Sequence, residues 1–400
     1  MRQVVVTGLG CISALGHDAG QFRGALAQGE GGIRPLEGFD PGAFKVGIAA
    51  QVRGFRPEEH FSGSEIPLLD RHVQFALVAA REAVADAGLS AGELKTAAAV
   101  VGTGCGGKET DEITYHRLYR ENSKRVHPLT IPRGMPCAAA GQISMQMGIT
   151  GPVYTVSSAC ASANHAVSQA VMLIRSGLAD VAVTGGADAP FTYGLIKAWE
   201  AMRVLTRDTC RPFSADRSGM VLGEGAGMVV LESLEHAKSR GARIHAELAG
   251  IGMSSDAGHI TDPSVEGALS AMTSALKDAR IAPEDVDYVN AHGTGTRAND
   301  VSETQALKTL FREHAYKMAV SSTKSMHGHA LGAAGGLELI ATIMALQENL
   351  APPTMNFTEA GEGCDLDYVP NASRAMPIEV ALSNSFAFGG LNSVLALKSV

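Results

Sequence analysis

The sequence predicts an α/β fold in which parallel sheets are covered by helices, the second half of the chain repeating the rhythm of the first. Three observations carry this. Short all-apolar runs such as Val4–Val6 and Ala97–Val101 read as strands buried on both faces. Helix-period or Ala-rich segments follow them, so strands and helices alternate. Gly-rich loops close the strands at matching places in the two halves, Gly102–Gly107 in one and Ala291–Thr296 in the other.

In order, Val4–Val6 is a strand, and Gly8-Leu9-Gly10 reads as the turn that ends it. That turn is not a dinucleotide fingerprint, because Ser13 stands where the third glycine should fall. Residues 71–88 carry Val73, Ala76, Leu77, Ala80 and Val84 at helical spacing. Ala97–Val101 is the next strand. Residues 108–134 are polar and basic, a surface excursion with some helix, and Ala138–Met147 is helical. Val153, Tyr154 and Val156 form a β-prone approach to Ser158-Ala159-Cys160, after which Ala163–Ser176 is a helix. Val181–Thr184 is a strand ending in Gly185-Gly186. Residues 203–219 are a loop rich in Arg, Asp and Ser. Gly225–Leu231 is a strand, and Ser233–Gly241 a helix with Lys238 and Arg240 near its C-terminus, as the helix dipole favours.

The second half follows suit. Ala246–Gly250 is a strand, Val265–Ala279 a helix capped by Ser264, and Val286–Asn290 a strand leading into Ala291-His292-Gly293-Thr294-Gly295-Thr296. Asp300–Phe311 is a helix, Met318–Ser321 a strand leading into Thr323–His329, and Ala333–Ala345 a helix. Ile378–Leu382 and Ser393–Leu397 are the closing strands, joined through Asn384–Gly390. Strand 97–101 matches strand 286–290, and the Cys160 strand–turn–helix matches the one carrying Lys324 and His329. The division falls between residues 1–242 and 243–400.

Bulk properties narrow the function. The 400 residues are 45% hydrophobic and carry 46 glycines, enough for a large core with many tight turns. A net charge of −8 argues against a nucleic-acid binder. Six cysteines without paired spacing indicate a reduced, cytoplasmic protein, and no CxxC supports a zinc site. The start lacks the apolar length of a signal peptide, and no uncharged apolar run is long enough for a membrane span.

Cys160 sits between a strand and a helix, where unpaired N–H groups and the helix dipole favour a thiolate. A thiolate is a candidate nucleophile for covalent catalysis; a buried inert thiol is the bland reading. Two further strand ends carry His292, and Lys324 with His329. Open α/β sheets place ligands outside the carboxyl ends of their strands. Neutral imidazoles there can donate hydrogen bonds to a developing enolate oxygen while cysteine holds an acyl group. His327 and His329 form an HxH pair without a third ligand in view, so no metal is expected.

With these motifs the sequence resembles the β-ketoacyl-acyl-carrier-protein synthases of the KAS II type, thiolase-fold condensing enzymes. The likeness runs from Val4 to Leu397 through Ser158-Ala159-Cys160, Asn290–Thr296, Ser322–His329, Leu331–Gly335 and Asn384–Gly390. It implies a duplicated, layered αβαβα architecture with two mixed five-stranded sheets. It implies that Cys160 accepts the acyl group and that the N–H groups of Cys160 and Phe388 form the oxyanion hole. His292 and His329 would stabilise the enolate formed when a malonyl thioester loses CO2. Thr294 and Thr296 would hold the phosphopantetheine arm, which arrives on the acyl carrier protein, so no resident cofactor is expected. Lys324 would be paired with Glu338, and Phe388 would gate the acyl and malonyl pockets. His165 is expected to be a structural hydrogen-bonder behind the nucleophile.

Departures from that family are informative. Cys105 stands where relatives usually carry Ile in the acyl pocket, and Thr130 where an aromatic from the partner subunit often closes it. Both are smaller, which suits a roomier or more polar channel for long or unsaturated chains. Ser62–Leu69 replaces a segment that is basic in housekeeping relatives and docks the carrier protein; Arg203 and Arg207 remain candidates for docking. In Phe386-Ala387-Phe388, Ala stands where Gly is usual, and Leu391 replaces Thr. The short loop from Leu205 to Phe213 resembles the nodulation-protein-E and aryl-polyene branch of the family. A thiolase would need a second catalytic cysteine where this chain has Phe388. The rival of a different kind is a non-catalytic chain-length factor, a structural partner that has lost the nucleophile. The family's dimers leave both a homodimer and a heterodimer with such a factor open.

Overall fold

The computed structural model describes residues 2–40 and 42–400. Ten strands form the main sheet: β1 Val4–Ile12, β2 Ala98–Gly102, β3 Val153–Val156, β4 Val181–Asp188, β5 Gly225–Ser233, β6 Ala246–Ser255, β7 Tyr288–Asn290, β8 Ala319–Ser321, β9 Val380–Ala387 and β10 Leu391–Lys398. The order is β3-β2-β4-β5-β1 in the first half and β8-β7-β9-β10-β6 in the second. Each half has two parallel ladders and two antiparallel ones, at the same positions. Two mixed five-stranded sheets therefore share one topology. Among the described residues the two sheets are hydrogen-bonded to each other only where Val5 and Val6 pair with Glu247 and Ala246.

Five helices complete the layers: α1 Arg71–Ala87, α2 Ser162–Arg175, α3 Val265–Ala279, α4 Arg297–Phe311 and α5 Ala334–Glu348. α2 and α5 pack between the half-sheets, α1 covers β1, β5 and β4, and α3 with α4 covers the second half. α5 is buried from Ala334 to Leu346, as a helix apolar on all sides must be. α3 is capped by Ser264, whose side chain accepts from the Gly267 N–H. Among the described residues no helix is long and apolar enough to cross a membrane.

The strand–helix alternation predicted parallel sheets; the sheets are mixed. β9 and β10 are joined by the short turn Phe388-Gly389-Gly390, and so tight a connection forces an antiparallel pair. The glycines expected to end strands lie within them. Gly8 and Gly10 lie inside β1, and Gly185-Gly186 inside β4. They are there for close approach. A Cβ at Gly8 would stand 2.0 Å from the Ala83 carbonyl oxygen of α1, and one at Gly10 2.1 Å from that of Ala79. The helices Ala19–Gln28 and Tyr193–Met202 were not anticipated from the sequence.

Candidate active site

Cys160 is reached by a sharp backbone reversal. β3 ends at Val156, Ala159 takes φ 50, and α2 begins at Ser162. Ser162 Oγ closes the turn, accepting from the Ser158 N–H at 2.9 Å. His165 Nδ1 lies 2.8 Å from Ser158 Oγ and 3.2 Å from the Ala161 carbonyl oxygen, the structural place expected of it. The strained elbow presents the Cys160 side chain at the carboxyl end of the strand.

One cavity collects Cys160, His292, His329, Phe386, Phe388, Thr294 and Thr296. The His292 and His329 rings meet edge-on with centroids 5.4 Å apart. Among the described residues His292 Nδ1 and both ring nitrogens of His329 lack a hydrogen-bond partner. Burial, reinforced by the Lys324 charge, holds both imidazoles well below the usual histidine range, so they are neutral near pH 7. Neutral rings with free nitrogens can donate to an oxyanion without bringing charge of their own.

Lys324 lies behind the cavity, fully buried and paired with the equally buried Glu338 of α5. Burial raises the Glu338 carboxyl to about 7, against the pull of Lys324. Burial likewise pushes the Cys160 thiol up to about 12, with Lys324 opposing. The thiolate expected at a helix N-terminus is therefore not the resting form. Desolvation outweighs the dipole. His327 turns away from His329: its Nε2 is 2.9 Å from Thr323 Oγ1 and its ring lies 6.0 Å from Phe22.

The loop bearing His292 and Thr294 is held by two buried carboxylates of α4 that the sequence did not single out. Glu303 accepts from the N–H groups of His292 and Gly293, both at 2.8 Å. Asp300 accepts from the N–H groups of Phe213 at 2.8 Å and Gly295 at 3.2 Å, and faces Arg217. Burial raises Asp300 to about 6. The signal was available: two acids three residues apart on the inner face of a helix that starts beside the loop. Asp188, at the end of β4, accepts from Thr103 Oγ1 and from the N–H groups of Gly104, Cys105 and Gly332.

Cys105 and Thr130 do not line this cavity. Cys105 packs with Phe191, Trp199, Val204 and Leu205 on a buried cluster of Met220, Leu222 and Leu331. Thr130 starts a short surface helix, its hydroxyl donating to the His127 carbonyl at 2.7 Å. Phe388 lines the cavity and its ring stacks on Trp199 of the Cys105 cluster at 6.1 Å and 27°, while Val204 and Met220 belong to both the cavity wall and that cluster. Arg203 and Arg207 are exposed.

The Beta-ketoacyl synthase N-terminal domain family matches residues 1–237, and its C-terminal domain matches residues 245–358. This chain belongs to the β-ketoacyl synthase family. Nodulation protein E of Rhizobium sp. (strain N33) is 50% identical over 401 residues, covering 100% of both chains. The 3-oxoacyl-acyl-carrier-protein synthase 2 of Coxiella burnetii (strain RSA 493 / Nine Mile phase I) is 44% identical over 409 residues, covering 100% of this chain and 99% of that protein. The ishigamide ketosynthase/chain length factor structure superposes with a TM-score of 0.95 at 36% identity, covering 100% of this chain and 99% of its own. The thiolase-like layering and the condensing-enzyme class read from the motifs both stand.

Proposed function

We propose that the protein condenses an acyl group held on Cys160 with a malonyl group delivered by an acyl carrier protein, in fatty-acid or polyketide chain elongation. The observation that carries this is the sharing of one cavity by Cys160 and two neutral imidazoles with free ring nitrogens.

The steps follow from that arrangement. The Cys160 sulfur attacks the carrier thioester and its proton passes to the departing phosphopantetheine thiolate. The N–H groups of Cys160 and Phe388 hold the oxyanion. The malonyl thioester then enters past Thr294 and Thr296. Its C–C bond breaks, CO2 leaves, and the electron pair becomes an enolate whose oxygen accepts hydrogen bonds from His292 and His329. The carbanion attacks the Cys160 thioester, the C–S bond breaks, the Cys160 thiolate takes a proton from solvent, and a β-ketoacyl carrier two carbons longer departs. Lys324 and Glu338 orient the site from behind. No resident cofactor is proposed, the phosphopantetheine arriving with the substrate.

The chain acts in the cytoplasm, as two halves, 1–242 and 243–400, the gap between the two family matches supporting that division. It works as a dimer, with itself or with a chain-length factor, and the exposed Tyr119 (76%) and Ile131 (71%) support a covered face. Retention of Cys160 with both histidines favours the enzyme over the chain-length factor itself.

The test is the mass of the acyl group trapped on Cys160 after incubation with loaded carrier proteins. Cys160→Ala should lose condensation yet still decarboxylate malonyl carrier. Elongation by Cys160→Ala would overturn the reading.

A further inference from the structure

His327 is fully buried two residues before His329, and no step above uses it. Burial, with the Lys324 charge beside it, holds the ring down to about 3, so it is neutral. Its Nε2 reaches back one turn to Thr323 Oγ1 at 2.9 Å and so closes the short helix Lys324–His327 through a side chain. Thr323 Oγ1 is shared: it also accepts from Asn290 Nδ2 at 3.5 Å. Asn290 is the last residue of β7, two residues before His292. A hydroxyl can take the amide N–H on a lone pair and still donate its own proton to a neutral imidazole. A second tie, from Ser322 Oγ to the Gly293 carbonyl at 2.6 Å, lies just beyond His292, so that residue is fixed on both flanks. The His327 ring packs 6.0 Å from that of Phe22, and its Nδ1 has no partner among the described residues. An apolar side chain would pack there without burying an unpaired nitrogen, so packing alone does not call for histidine. What the histidine adds is the line His327–Thr323–Asn290, which ties the turn carrying Lys324 and His329 to the strand end carrying His292.

We propose that His327 is a positioning residue for the decarboxylation step, holding the His292 and His329 rings at the spacing that lets both donate to one enolate oxygen. Those rings meet edge-on with centroids 5.4 Å apart. An oxygen between them takes two good hydrogen bonds only while neither ring tilts, because such bonds weaken steeply as their angle closes. Acylation of Cys160 uses the N–H groups of Cys160 and Phe388 instead and does not pass through this line. The proposal rests on the condensing reading and deepens it, by giving the second half-reaction a support that the first does not need.

The two half-reactions are timed separately on the full chain. Acylation of Cys160 by octanoyl carrier is counted by intact mass. Decarboxylation of malonyl carrier without primer is followed as acetyl carrier, formed when CO2 leaves and solvent protonates the enolate. His327→Leu keeps the bulk and loses the bond to Thr323. It should slow decarboxylation by about two- to tenfold, the worth of one hydrogen bond, and leave acylation at the wild-type rate. Thr323→Val should do the same. The double variant should be no slower than the slower single one, since both act through one line. His327→Gln, which can still reach Thr323, should recover most of the rate. Should His327→Leu fail to fold, Thr323→Val and His327→Gln still decide. A wild-type decarboxylation rate in folded His327→Leu or Thr323→Val overturns the proposal alone. So does equal slowing of both half-reactions, the mark of a packing defect, and so do losses that multiply in the double variant. Wild-type protein that neither acylates Cys160 nor decarboxylates malonyl carrier overturns the condensing reading, and the proposal with it.

Discussion

Lys324→Met isolates the ion pair behind the catalytic cavity. Lys324 and Glu338 are both fully enclosed, and Glu338 Oε2 has no second partner among the described residues. Removing the ammonium strands the carboxyl in a low-dielectric interior. Breaking a buried pair from one side costs about 3–5 kcal/mol, while replacing both partners by apolar groups of similar volume costs little. Unfolding entropy is roughly 2.1 cal/mol/K per residue, or about 0.8 kcal/mol/K over this chain. The single variant should therefore melt about 4–6 °C below wild type, and Lys324→Met/Glu338→Leu should recover most of the loss. The pH dependence has a definite sign. Glu338 already stands at about 7, above the ordinary glutamate value of 4.5, and losing Lys324 raises it further. The folded state then binds a proton that the unfolded state releases, so stability is present at low pH and lost as pH rises through the folded value. Wild type titrates the same carboxyl at about 7, so the deficit of Lys324→Met should widen only as pH rises above about 7, toward the higher folded value of the variant. Circular dichroism melts at one scan rate measure both. A single variant within about 1 °C of wild type, or a double variant no better than the single, would refute the reasoning.

Three other outcomes are expected. Because burial holds the Cys160 thiol at about 12, its alkylation by iodoacetamide should rise roughly tenfold per pH unit across the neutral and mildly alkaline range; a plateau near neutrality contradicts this. Glu303→Gln removes the charge that accepts from the His292 and Gly293 N–H groups. Charged hydrogen bonds of this kind are worth about 1.5–3 kcal/mol, so condensation should slow by about ten- to a hundredfold while acylation of Cys160 keeps its rate; equal slowing of both half-reactions counts against it. Cys105→Ile should shorten the longest product and cost long or polyenoyl primers more turnover than medium saturated ones, read by mass of the carrier-bound products. An unchanged profile would remove Cys105 from the acyl channel.

The sequence was most legible where one physical demand dominates. Val265–Ala279 was read residue for residue because its cap and period agree. Cys160, His292, Lys324 and His329 stood out as polar residues at apolar strand ends. Strand ends were misread wherever glycine serves packing instead of turning: Gly8, Gly10, Gly185 and Gly186 look like punctuation, yet each lies in a strand pressed against other backbone. Strand direction was hidden because it depends on which strands become neighbours. The state of Cys160 was hidden too, since the dipole is visible in a strand–turn–helix pattern and the depth of burial is not. Asp188, Asp300 and Glu303 escaped notice because each holds at least two backbone N–H groups, contacts that leave no mark in the side-chain pattern.

Asp188 takes hydrogen bonds from the Gly104 and Cys105 N–H groups in the first half and from the Gly332 N–H in the second. The second half cannot loosen from the first without taking one of four hydrogen-bond donors from this buried carboxyl. Heat or denaturant should therefore silence the enzyme in the same step that dissolves its tertiary structure. A cell holding such a protein is spared the intermediate that would do harm: a damaged copy still able to load acyl groups from carriers, and no longer able to extend and return them.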